Sequence, residues 1–251
     1  MKKIFFLLLI ISSFTNAQTT EQLFDSANNF YKNGNYEKAI ENYRKIEAKG
    51  VISSELFYNL GNTYYKLNKD GATIYNFEKA LQINPLNEDA ANNLVFAKRL
   101  TLDRIEELPK SVLQKFNENY LQKLSYNQWA IVTIIFAFFS AILFLLFYFS
   151  SSSSSKRVFF VTSILSFILC IVSISFTYNQ YNYAQNTKFA IIFSEKTAIK
   201  NGPTLNSEEV FTLHEGTKVA VLDTVDAWKK IKLVDGKIGW VLAKEIKLLE
   251  F

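Results

Sequence analysis

The sequence offers little from which to build a reacting centre. Its 251 residues include one histidine, His214, and one cysteine, Cys170. A Ser-His-Asp arrangement or a multi-histidine metal site would have to be assembled around His214. That residue sits in Leu213-His214-Glu215-Gly216, which reads as an exposed turn, and no partner for it stands out. Cys170, between Leu169 and Ile171 in an apolar run, reads as a packed or lipid-facing small group. A single cysteine leaves no intrachain disulfide and no cysteine metal cluster. No paired-carboxylate motif is evident either. Catalytic residues, metal and cofactors are each expected to be none, and the protein is expected not to be an enzyme.

What the sequence does repeat is hydrogen-bonding capacity. Sliding the chain on itself by 34 residues lays Asn28 over Asn62, Asn59 over Asn93 and Tyr31 over Tyr65. The same offset lays Gly34–Lys45 over Asn68–Lys79, with Phe30 on Tyr64, Ile40 on Ile74 and Tyr43 on Phe77. This period, with Leu60, Gly61, Tyr64, Phe77, Ala80 and Pro85 at the motif's spacing, resembles the tetratricopeptide repeat. The resemblance covers about Thr20 to Asn87 and departs from the pattern at Gly71 and Thr73. It implies an all-α solenoid domain over 18–108, with repeats at about 20–53 and 54–87 and a capping helix at 88–100. On such a scaffold Asn28, Tyr31, Asn59, Asn62, Tyr65 and Asn93 would line a peptide-binding groove, since an asparagine both donates and accepts. The alternative is that they are solvated polar positions in an asparagine-rich chain.

The elements around this stack are set by apolar runs. Residues 1–17 read as a secretory signal, with Lys2 and Lys3 before an apolar core. After a linker over 109–128, residues 129–149 and 158–178 are uncharged and long enough to cross a bilayer as helices. With an exported N-terminus, the serine-rich loop 150–157 faces the cytoplasm and both large segments lie outside. Lys156 and Arg157 in that loop agree with the positive-inside tendency. Ser163, Ser166, Ser173 and Ser175 read as a packing face, either within this hairpin or towards another protein. The net charge of +5 is too small to argue for nucleic acid.

Beyond the second run, short alternating or apolar stretches are broken by Asn201-Gly202-Pro203, His214-Glu215-Gly216 and Asp235-Gly236. Five or six strands in so short a segment predict a small all-β barrel over 179–251. Gly202, Pro203, Gly216, Val219, Trp228, Gly236, Gly239 and Trp240 resemble the bacterial SH3-like pattern. Such domains outside the cell bind wall glycopeptide or protein. Phe193, Trp228 and Trp240 are the aromatic candidates for its ligand groove, with burial in the barrel core as the alternative for both tryptophans.

The order of signal, helical repeats, membrane hairpin and SH3-like barrel resembles the BatE-like proteins of the Bacteroides aerotolerance operon group. That resemblance implies a scaffold in the inner (cytoplasmic) membrane with both domains in the periplasm. Its partners would be envelope proteins, among them membrane-anchored von Willebrand factor A proteins and, indirectly, a MoxR-type ATPase. A peptidoglycan sensor acting through the SH3-like domain is the alternative.

Overall fold

In a computed structural model, residues 18–250 are described; the expected signal at 1–17 lies outside them. Five helices come first: α1 Thr20–Lys32, α2 Tyr36–Ala48, α3 Ser54–Lys66, α4 Asp70–Ile83 and α5 Glu88–Leu100. Their starts are written locally. Thr19 and Gln22 form a capping box on α1, and Ser53 and Asn87 cap α3 and α5 through Leu56 N–H and Ala90 N–H. Successive helices fold back on one another, so that Leu23, Ala27, Tyr43, Leu56, Phe57, Leu60, Phe77 and Leu94 share one core. Gly61 is a close-approach site: a Cβ there would stand 2.6 Å from the Phe77 ring.

An extended segment leads from this stack to α6, Val112–Phe116, which runs into a π-helical turn at Asn117–Leu121. Two long helices follow, α7 Tyr126–Phe149 and α8 Ser153–Asn186, both long and apolar enough to cross a membrane. Most of their large side chains point away from protein; Phe138, for example, is 68% exposed. That exposure is consistent with helices that cross a membrane. The serine loop is shorter than its composition predicts. Ser150 to Ser152 make the turn, and Ser153–Arg157 form the first turns of α8. At its other end α8 runs past the apolar run to Asn186, so that Thr187 alone separates it from the first strand.

The hairpin is closed by a seam of small residues. Ser163, Ser166, Cys170, Ser173 and Thr177 alternate in steps of three and four along α8, the spacing of one helix face. Ser163 and Ser140 exchange hydroxyl-to-carbonyl bonds of 3.1 and 3.2 Å, and Ser166 donates to the Phe136 carbonyl at 3.0 Å. Cys170 packs with Sγ 3.7 Å from the Thr133 carbonyl. Of the four serines read as a packing face, Ser163, Ser166 and Ser173 are buried within the hairpin, and Ser175 is exposed on the other side.

The C-terminal strands are β1 Lys188–Ile192, β2 Lys196–Lys200, β3 Glu209–His214, β4 Lys218–Val225, β5 Trp228–Lys232, β6 Ile238–Leu242 and β7 Ile246–Leu248. They form one antiparallel sheet in the order β3-β2-β6-β5-β4-β1-β7. Irregular register at Ile199/Lys200 and Val221/Asp223 bends it, as β-bulges do. It wraps a small core of Ala190, Ile192, Ile199, Leu213, Val219, Ile231, Val241 and Ile246.

Candidate functional site

The asparagines of the repeat register fall on α1, α3 and α5 and are paired by a common rule. Asn59 Nδ2 donates to Asn28 Oδ1 at 3.4 Å, and Asn93 Nδ2 donates to Asn62 Oδ1 at 2.8 Å. The Asn28 oxygen also accepts from the Tyr43 hydroxyl at 2.5 Å, and burial pushes that phenol up. Each pair so formed keeps one amide NH2 and one amide oxygen without a hydrogen bond among the described residues. All four side chains are half-buried. Tyr31 is half-buried with its ring edge-on to Tyr36 at 5.5 Å, while Tyr65 is 40% exposed. This face thus presents donors and acceptors held in fixed places, beside aromatic area.

The aromatic residues singled out in the sheet are placed differently from one another. Phe193 stands edge-on to Tyr75 of α4, with ring centroids 5.7 Å apart, and belongs to a contact with the helical stack. Trp228 is 7% exposed and contributes to the core. Trp240 stays half-buried on β6, opposite Lys230, whose ammonium lies 5.9 Å from its ring centroid.

The contact between stack and sheet is fastened by buried and half-buried charges. Glu78 is 7% exposed on α4; Lys218 of β4 meets its Oε2 at 2.6 Å. Lys98 of α5 stands 2.9 Å from Oε1 as an ion pair. Burial on its own would raise this carboxyl, but the two ammonium groups outweigh it and hold the pKa at about 2. A second carboxylate, Asp103 from the segment after α5, accepts from the Thr217 hydroxyl at 2.6 Å, from His214 N–H at 2.7 Å and faces His214 Nδ1 at 2.7 Å. Burial opposes its ionisation, and these donors together keep its pKa below the ordinary carboxylate range. The Glu215 carboxylate accepts from Gly71 N–H at 3.0 Å, and Gln82 Nε2 donates to the Leu249 carbonyl at 3.3 Å. Ile191 of β1 and Leu249, just after β7, complete the apolar cluster of the stack.

His214 is therefore a half-buried strand-end residue with a carboxylate partner, rather than the exposed turn residue its neighbours predict. Asp103 and His214 make up the carboxylate–imidazole half of a Ser-His-Asp arrangement. Among the described residues, however, no hydrogen bond engages His214 Nε2, and the carboxylate is already shared with Thr217 and the strand backbone. The pair ties the segment after α5 to the end of β3.

Residues 196–247 match the family model of the bacterial SH3 domain. The match spans β2 to β7 and includes both tryptophans and His214. It makes the region from β2 to β7 a bacterial SH3-like domain, which is consistent with binding to protein or cell wall. No curated protein matches the chain.

Sequence reading missed Glu78, Asp103, Lys218 and Thr217 because they meet across 114 to 140 residues of chain, where no local pattern can join them. One signal was available. The departure at Gly71 from the repeat pattern is explained by this contact, since a Cβ there would lie 2.8 Å from the Glu215 side chain and 3.1 Å from the Ile192 carbonyl. Thr73, the other departure, is buried with its hydroxyl bonded to the Lys69 carbonyl at 2.8 Å.

Proposed function

We propose that the protein is a non-catalytic, membrane-anchored scaffold. Its helical stack, a short tetratricopeptide-type solenoid, grips an extended segment of an envelope protein against the asparagine face of α1, α3 and α5. The SH3-like domain supplies a second contact, and both lie on the periplasmic side of a bacterial inner membrane. The observation that carries this reading is the asparagine pairing: each pair leaves a donor and an acceptor unused, which complements the alternating N–H and C=O of a peptide backbone. Anchoring in one membrane raises the effective concentration of scaffold and partner, so weak contacts suffice. The BatE-type order of parts makes von Willebrand factor A proteins, working with a MoxR-type ATPase, the partners of first choice.

The test is in-cell crosslinking and affinity purification of the full chain beside an Asn62→Lys variant. Loss of a protein partner from the variant, with the fold intact, is the expected result. Recovery of the same proteins at the same yield would sink the groove. Deleting the SH3-like domain is the poorer experiment, because it strips Glu78 of Lys218 and uncovers the stack's own core.

A second reading rests on the half-buried Trp240 and the exposed Val210 and Ile238, at 53% and 45%, which leave the SH3-like domain an apolar surface away from the stack. On that reading it binds wall glycopeptide. Cosedimentation of the detergent-solubilised full chain with purified sacculi, reduced by Trp240→Ala, would support it.

A further inference from the structure

The short segment before α7 carries more exposed apolar surface than water favours. Val112, Leu113, Phe116 and Tyr120 are 84%, 81%, 49% and 64% exposed. At about 100° per residue through α6 and about 80° through the π-helical turn, these four fall within an arc of about 100°, so they form one stripe. Gln114 and Glu118 lie on the other side. There they line a cavity of about 1060 Å³ between this segment, the chain after α5 and the strands around Lys218 and Leu233. Lys110 ties that polar side by meeting Glu118 at 2.7 Å and Glu107 at 2.6 Å.

The stripe is continuous with the apolar helices. The Trp129 indole N–H donates to the Leu121 carbonyl at 3.0 Å, which fastens the end of the segment to the first turn of α7. At the same level Tyr126 meets Tyr181 edge-on at 5.8 Å, so the mouth of the hairpin is ringed by the amphipathic side chains that favour a bilayer interface. A capping box at Ser111 and Gln114 starts the helix without help from the rest of the protein.

We propose that Val112–Leu121 lies in the plane of the membrane. Val112, Leu113, Phe116 and Tyr120 enter the headgroup–acyl boundary of the leaflet from which α7 starts, and Gln114 and Glu118 face the cavity above. This inference rests on the reading of α7 and α8 as membrane spans. A helix of this length needs little affinity of its own, because α7 already holds it at the surface. The segment then acts as a footing that sets the height and tilt of the stack and SH3-like domain over the bilayer.

The test uses the full chain in a Cys170→Ser background, reconstituted in phosphatidylcholine nanodiscs with plain or brominated acyl chains. Bimane is attached at Leu113→Cys, Glu118→Cys or Phe138→Cys in turn. Bromine quenching at position 113 about threefold or more above that at 118 is the expected result for an interfacial helix. Equal, weak quenching at 113 and 118 beside strong quenching at 138 overturns the placement while leaving the spans intact. Oxidative crosslinking of 113 between copies, with no quenching, overturns it in favour of a second chain. No quenching at 138 removes the spans and this inference with them.

Discussion

Two contacts hold this molecule together, and they solve the same problem with opposite chemistry. Between the stack and the SH3-like domain, helix and sheet come close at Gly71 and are fastened by carboxylates among ammonium groups and hydrogen-bond donors. Between α7 and α8, close approach comes from serine, threonine and cysteine, and the fastening is hydroxyl to backbone carbonyl. The first contact has water at its rim: the Lys218 and Lys98 side chains are 31% and 47% exposed, while that of Glu78 is 9% exposed. In the proposed membrane setting the second has no water to draw on, and a full charge there would cost several times what a hydroxyl costs. Solvent at the edge decides which polar group can be used.

The sharpest way to break the comparison is Lys218→Met. It leaves Glu78 buried with one partner, and removing one member of a buried ion pair costs on the order of 3 kcal/mol. We expect the stack and the SH3-like domain to separate, seen as faster hydrogen exchange in both α4 and the β3–β4 turn. Unchanged exchange would show that apolar packing around Ile191 and Leu249 suffices.

Acid should act next, and on the first contact only. The Glu78 pKa of about 2 lies below its value in an unfolded chain, near 4.3, and undocking, which removes Lys218 but leaves Lys98 on α5, recovers part of that difference. A carboxylate with a depressed pKa stabilises the docked state above the undocked pKa and loses that contribution as pH falls towards the docked one. Docking should therefore weaken between about pH 4.5 and pH 2, and the Asp103 shift acts in the same direction. Intermodule energy transfer measured across this range should fall, and Glu78→Gln should flatten the dependence. The α7–α8 contact, fastened by hydroxyls on backbone carbonyls, should show no such change.

Smaller effects separate the two sides of the hairpin. Ser166→Leu forces a large side chain into the seam and should cost about 2 kcal/mol, read as a lower denaturation midpoint in detergent. Ser175→Leu, on the exposed side, should leave the midpoint unmoved. Ser166→Ala keeps the close approach and removes one hydrogen bond, for which about 0.6 kcal/mol is expected. If the alanine variant proved as damaging as the leucine one, the hydroxyl and not the size would be what matters in lipid.

How far the sequence reveals these contacts depends on whether the partners share a local period. The 34-residue offset exposes the asparagines, and the small residues of α8 expose most of the serine seam, because each is a pattern along one chain segment; Ser175, two residues from Ser173, falls off that face, and Cys170 and Thr177 join it. The ligand for His214 is another matter. Asp103 lies 111 residues away on a segment with no periodicity of its own. Its neighbours Arg104 and Glu106 make it look like one more solvated charge. The α2–α4 comparison held a usable hint. Exposed Glu41 aligns with buried Tyr75, and half-buried Arg44 with buried Glu78, so the second repeat had a covered face where the first has an open one. Reading the departure at Gly71 together with Tyr75, an aromatic where the first repeat has Glu41, points to a partner packed on α4. The aromatic set of the SH3-like domain was harder, since a strand pattern does not tell Phe193 from Trp240, and only the docked stack distinguishes them.

The length of α8 has a consequence for construction. Its 34 residues rise about 50 Å, against about 30 Å of hydrocarbon, and one residue, Thr187, then passes the chain to β1. Rotation along this rod is counted in residues, as depth is counted in turns of a screw. Adding one residue between Tyr178 and Asn186 would lift the SH3-like domain by about 1.5 Å and swing it by about 100°, carrying Lys218 away from Glu78. Adding four would return the bearing to within about 40° while raising the domain by about 6 Å. The rod therefore sets the heading at which the sheet arrives at α4.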